Sequence, residues 1–155
     1  MMIRIFARSF FEARRRTSRE VLLFQECRII SINDASLTEE PPFRRRFFEH
    51  PSLLILRFDD VEGGQSRAMT ESDAMKIVRF AKRDAEKSIL IHCNAGISRS
   101  GAVGEVLNWY FNRYLQRNDR DFEQFVRNHP DLMPNVHVRR TLLEALIKAE
   151  GGFPA

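Results

Sequence analysis

The sequence has no apolar run approaching the roughly 20 residues that a membrane-spanning helix needs, so no span is expected. It has only two cysteines, Cys27 and Cys93. Two are too few for a disulfide framework, and the chain is read as one that keeps its thiols reduced in the cytoplasm. There is no internal repeat, low-complexity tract or linker. His50, His129 and His137 have no partners at metal-ligand spacing, so neither a metal nor any other cofactor is called for. The first residues have too short an apolar core for a secretory signal. Their arginines faintly suggest a mitochondrial presequence, against which stand Glu12 and the strand-like Ile3-Arg4-Ile5-Phe6.

What is present fits a folded domain. A chain of 155 residues with 43% hydrophobic and 30% charged residues can close one core unaided, and residues 1–155 are read as a single domain. The net charge of +4 favours anionic partners without choosing among phosphoproteins, phospholipid headgroups and nucleic acid.

Apolar patterning places strands at Ile3–Phe6, Val21–Phe24, Arg28–Ile32, Leu53–Leu56 and Ser88–His92. Asn33-Asp34 reads as a turn. Helices are expected over Ser9–Arg19, with Phe10, Phe11 and Ala13 inward, and over Glu71–Ala85, capped by Thr70. Others are expected from Arg99 onward with Trp109 and Tyr110 in the core, near Phe122–Arg127, and over Val136–Ala149. Strands alternating with helices predict an α/β layered domain with a mostly parallel central sheet.

The informative segment is Ile89-Leu90-Ile91-His92-Cys93-Asn94-Ala95-Gly96-Ile97-Ser98-Arg99-Ser100-Gly101. A loop joining a strand to a helix can turn successive backbone N–H groups into one concavity, with the helix dipole behind them, and so make an anion site. Gly96 lets the loop curl, and Arg99 adds a planar fork for two phosphate oxygens. A field that holds phosphate also favours a thiolate, so Cys93 is the candidate nucleophile. Ser100 is placed to donate to its sulfur, and His92 to orient the loop rather than act as a base. The absence of a Gly-Lys-Ser/Thr ending excludes Walker-type nucleotide binding here.

The run His92-Cys93, five residues, Arg99, Ser100 resembles the signature of cysteine-based protein tyrosine phosphatases, in particular the dual-specificity branch. The resemblance implies that Asn94, Ala95, Gly96, Ile97, Ser98 and Arg99 bind phosphate. It also implies a general acid just beyond the preceding strand; Asp60 falls at that position with Asp59 as its spacer, and Asp59 is the alternative acid. Pro134-Asn135, before the last helix, resembles the family's Pro-Asn segment, although Met133 replaces the Arg often found ahead of it. The implied activity is hydrolysis of phosphotyrosine, with phosphoserine or phosphothreonine as further substrates, in a phosphorylated protein partner. The alternatives are a phosphoinositide or RNA 5′-end phosphatase, or a phosphate-binding module without turnover. Uncharged side chains at Asn94, Ala95, Ile97 and Ser98 weigh against the lipid reading, and nucleic acid is not favoured as a partner. Arg44-Arg45-Arg46 reads as a solvated face, and Cys27 as a small buried hydrophobe rather than a disulfide partner of Cys93.

Overall fold

The computed structural model describes residues 1–36 and 38–151. Four strands form one all-parallel sheet in the order β1-β4-β2-β3: β1 (Ile3–Ala7), β2 (Cys27–Asn33), β3 (Leu53–Arg57) and β4 (Ser88–Cys93). β3 and most of β4 are continuous apolar runs, as expected where both faces of a parallel sheet are covered. On one face Ile3, Ile5, Ile30, Ile32, Leu56, Ile89 and Ile91 pack against α3 (Glu71–Lys82), α4 (Arg99–Leu107), α5 (Asp119–Asn128) and α6 (Val136–Ala149). On the other, Ile29, Leu53 and Leu90 meet an aromatic layer. That layer includes Phe11 of α1 (Arg8–Glu12), Phe24 of α2 (Ser18–Glu26), Phe43 and Phe47, with the Phe24 and Phe47 rings stacked at 4.2 Å.

Two expectations at the chain's start are corrected. The helix expected over Ser9–Arg19 is broken by a turn after Glu12, which leaves Ala13 exposed; Phe11 alone of the three inward candidates is fully buried. Val21–Phe24 is helix rather than strand. Its four apolar residues mimic a buried strand, but Glu20 and Phe24, one helical turn apart, are the two that face inward, while Leu22 stays 49% exposed. Buried Glu20 accepts from Arg44 Nε at 2.6 Å. The Arg44-Arg45-Arg46 run is therefore not simply solvated: Arg44 neutralises Glu20, Arg45 pairs with Glu40, and Arg46 lies over the Phe47 ring.

Helix α3 begins at a reciprocal capping box between Thr70 and Asp73. It ends at Lys82, short of the expected Ala85, where buried Arg28 donates from Nη1 to the carbonyls of Ala81 (2.7 Å) and Arg83 (2.6 Å). Helix α4 passes so close to β1 that a Cβ at Gly104 would lie 2.7 Å from Ile5 Cδ1. Beyond it the chain widens into a π-helix over Asn108–Leu115. The buried amides of Asn108 and Asn112 bond to each other inside that turn at 2.8 Å. The wider winding buries Tyr110 but leaves Trp109 44% exposed, contrary to its expected place in the core.

Candidate active site

Strand β4 delivers Cys93 to the carboxyl edge of the sheet, and residues 94–98 lead directly into α4. The loop leans on the end of β1. Gly96 adopts φ +75°, and a Cβ there would come within 2.8 Å of Phe6 and Ala7 backbone atoms. Only glycine fits both constraints. The N–H of Arg8 donates to Asn94 O at 3.0 Å, tying the loop's other arm to the same strand end. Asn94, Ala95 and Ile97 face the outside, while Arg99 and Ser100 are buried.

Cys93 is 3% exposed, with Sγ 3.1 Å from Ser100 Oγ. Burial by itself pushes its pKa up. The Ser100 hydroxyl and the N–H groups of Ser100, Gly96 and Ile97 outweigh burial, and the thiol ends below its ordinary value. Arg99 is 3% exposed, and its Nη1 donates to Asp34 Oδ1 and to Phe58 O, both at 2.8 Å. Its Nε is buried and has no partner among the described residues. That edge of the guanidinium is thus free to meet an acceptor at the loop, and the Nε edge is suited to bidentate binding.

Asp34 is not merely a turn residue. One carboxylate oxygen takes Arg99 and the other takes Asn94 Nδ2 at 3.4 Å, so the side chain spans the two arms of the loop. Burial tends to raise its pKa. Hydrogen bonding with Glu39, Arg99 and Asn94, together with the Arg99 charge, outweighs that and holds the group below the usual carboxylate range. Asn33, expected in the turn, is the last residue of β2 and fully buried.

His92 is completely buried, with Nδ1 3.0 Å from Cys93 O and Nε2 2.6 Å from Ser31 Oγ. The carbonyl can only accept, so Nδ1 carries the proton and Nε2 accepts from the Ser31 hydroxyl. Asn33 Nδ2 in turn donates to Ser31 Oγ at 3.1 Å. Burial drives the His92 pKa down to about 4, and the nearby Arg8 and Arg99 charges act in the same direction. The imidazole is therefore neutral at physiological pH and clamps the peptide that carries Cys93.

The two candidate acids differ in what they touch. Asp60 Oδ1 accepts from Ser98 Oγ at 2.8 Å and from Asn135 Nδ2 at 2.7 Å, which brings this exposed carboxylate onto the loop. Asp59 is used to pin its own segment: its Oδ1 takes the Ala35 N–H at 2.9 Å, and its N–H donates to Arg67 O at 2.7 Å. Asn135 also caps α6 through Val138 N, and its own N–H donates to Ser98 O at 3.1 Å. One residue thus joins the Asp60 segment, the 94–98 loop and the last helix. Ser31, Asn33 and Asp34 are the site residues that sequence reasoning missed; an ordinary strand serine and a turn-like Asn-Asp pair carry no local signal of such a role. Cys27 pairs in register with Ser88, five residues from Cys93 along β4, so the two thiols cannot bridge.

No protein-family model matches this sequence, and no curated protein resembles it closely enough to count as a relative. The structure nevertheless has a known form: an all-parallel sheet flanked by helices, with the fold of the cysteine-based tyrosine and dual-specificity phosphatases. The human tyrosine phosphatase-like serine/threonine/tyrosine-interacting protein superposes with a TM-score of 0.58 at 20% identity, over 94% of this chain and 91% of that one. PTPMT1, solved in complex with PI(5)P, gives 0.55 at 16% identity over 97% and 95%. The active form of Tk-PTP gives 0.52 at 18% over 99% and 94%. What is shared at these identities is the fold. Among the described residues no helix is long and apolar enough to cross a membrane.

Proposed function

We propose that this protein is a cysteine-dependent phosphatase that hydrolyses phosphotyrosine, and also phosphoserine or phosphothreonine, in proteins. The observation that carries the reading is the convergence on one loop of three groups: a thiol with lowered pKa, the unpartnered Nε of buried Arg99, and the Asp60 carboxyl. In the first step the Cys93 thiolate attacks phosphorus. The P–S bond forms, the P–O ester bond breaks, and protonated Asp60 gives its proton to the departing oxygen. In the second step water attacks the phosphocysteine and gives a proton to the Asp60 carboxylate. Phosphate then leaves, and the sulfur departs as a thiolate that accepts a hydrogen bond from Ser100. Arg99 grips two phosphoryl oxygens throughout while Asp34 and Phe58 O hold its far corner, making Asp34 a positioning residue.

PTPMT1 was solved with a phosphoinositide, so lipid headgroups are the competing substrate class. Uncharged Asn94, Ala95, Ile97 and Ser98 offer no second cation to a multiply phosphorylated ring, and this supports the protein reading. The test is hydrolysis without added metal of a phosphotyrosine peptide, a phosphoserine peptide, a soluble phosphoinositide and a 5′-phosphorylated RNA. The expected result is the highest kcat/KM on phosphotyrosine. A higher value on the lipid or RNA overturns the substrate class. Tight phosphopeptide binding with no turnover of anything overturns the enzyme reading.

A further inference from the structure

Away from the active site a stripe of unbalanced charge lies on α3. Its exposed positions beyond the first turn and just past its end are Lys76, Arg79, Lys82 and Arg83, with no acidic residue between Asp73 and Asp84. Lysine and arginine in a last helical turn complement the helix dipole, which accounts for Lys82 and Arg79. Lys76 lies further from that end. Among the described residues only Lys82 has a carboxylate partner, Glu150 at 3.7 Å. These four side chains line one side of a groove of about 490 Å³ whose other side is Leu54 of β3.

That neighbour is an edge strand. β3 pairs with β2 and with no other strand among the described residues. The bonds Ile29 N→Ser52 O and Phe58 N→Asn33 O show that the even-numbered positions direct their peptide groups at β2. By the alternation of a parallel ladder, the peptide groups of Ile55 and Arg57 face outward. The groove thus offers a partly buried apolar side chain and a stripe of cations, and the strand that borders it offers the unpaired peptide groups of Ile55 and Arg57.

We propose that this groove binds an extended acidic segment of a protein partner, which adds alongside β3 and places its carboxylates against Lys76, Arg79 and Arg83. A flat membrane surface would meet the cations but could not pair with the unpaired peptide groups of an edge strand, so a peptide is the better match. Resting on the phosphatase reading above, the partner is the substrate itself. Cys93 lies about 12 Å from Leu54 across the sheet, counting two strand spacings of about 4.8 Å and two residue steps of about 3.3 Å. An extended chain covers that in about four residues, so the acidic stretch belongs four or more residues from the phosphorylated side chain.

The probe is a fluorescent peptide of alternating Glu and Leu, with an alternating Lys and Leu peptide as control, followed by anisotropy at low and high salt. The acidic peptide is expected to bind in a salt-sensitive way, and the triple variant K76E/R79E/R83E to weaken it by at least about tenfold. A second readout joins that acidic stretch to a phosphotyrosine five residues away. The joined substrate should have a lower KM than the bare phosphopeptide with native protein but not with the triple variant, while hydrolysis of 4-nitrophenyl phosphate stays equal in both. That last control shows that the variant is folded and separates failure of the groove from failure of the active site. Acidic peptide bound equally by native and triple variant overturns the proposal. So does loss of binding only to phosphatidylserine vesicles, which would make the stripe a membrane contact.

Discussion

Replacing Cys93 by serine is expected to abolish the proposed turnover, with kcat on any phosphate monoester falling by at least about 10³-fold. The site favours the thiolate form of Cys93: Ser100 Oγ stands 3.1 Å from the sulfur, and the N–H groups of Gly96, Ile97 and Ser100 lower its pKa. A serine hydroxyl in the same cradle stays protonated and makes a poor nucleophile. Because the cradle is left standing, Cys93→Ser should still bind phosphopeptide. The sign of the thiol shift gives an independent check. Alkylation of Cys93 by iodoacetamide should reach half its maximal rate at a lower pH than alkylation of free cysteine run alongside. Ser100→Ala removes one of the lowering hydrogen bonds and should move that midpoint upward. A midpoint at or above the free value in the native protein would contradict the electrostatic account of the loop.

Asp60→Asn is expected to lower kcat on a phosphotyrosine peptide by about 10²–10⁴-fold, the usual worth of general acid catalysis. The loss should shrink on 4-nitrophenyl phosphate, whose leaving group is acidic enough to depart without a proton. Asp59→Asn should leave kcat on the peptide near native, since Asp59 holds Ala35 N–H rather than the loop that carries Cys93. A loss of that size in Asp59→Asn, with Asp60→Asn near native, would reverse the assignment.

The residues from Ile89 to Gly101 were legible in the sequence because their chemistry is local. A strand, a five-residue loop and a helix start set where Cys93, Arg99 and Ser100 stand, and no distant contact is needed to see it. The four strands of the sheet were legible for a similar reason, since runs such as Leu53–Leu56 and Ile89–Ile91 suit a layer covered on both sides and are bounded by turn-forming residues. Val21–Phe24 misled because a short apolar run does not declare its period; the inward pair Glu20 and Phe24 shows the helix only once Arg44 is known to neutralise Glu20. Asp34 was hidden because its partner Arg99 is 65 residues away. The Ser31–His92 bond likewise depends on register between β2 and β4. Trp109 was misplaced because a π-helix turns it outward and buries the Asn108–Asn112 amide pair instead, a winding that the spacing of apolar residues does not announce.

The central claim is that phosphate passes through Cys93, and the most direct measurement is to catch it there. In Asp60→Asn protein turning over 4-nitrophenyl phosphate, the leaving group is acidic enough to depart without a proton, whereas the water of the second step has lost its base. Acid quenching followed by mass analysis of the proteolysed protein should then find one phosphoryl group on the peptide containing Cys93, absent from the Cys93→Ser control. Product formation with the phosphoryl group on another residue, or on none, would contradict the account.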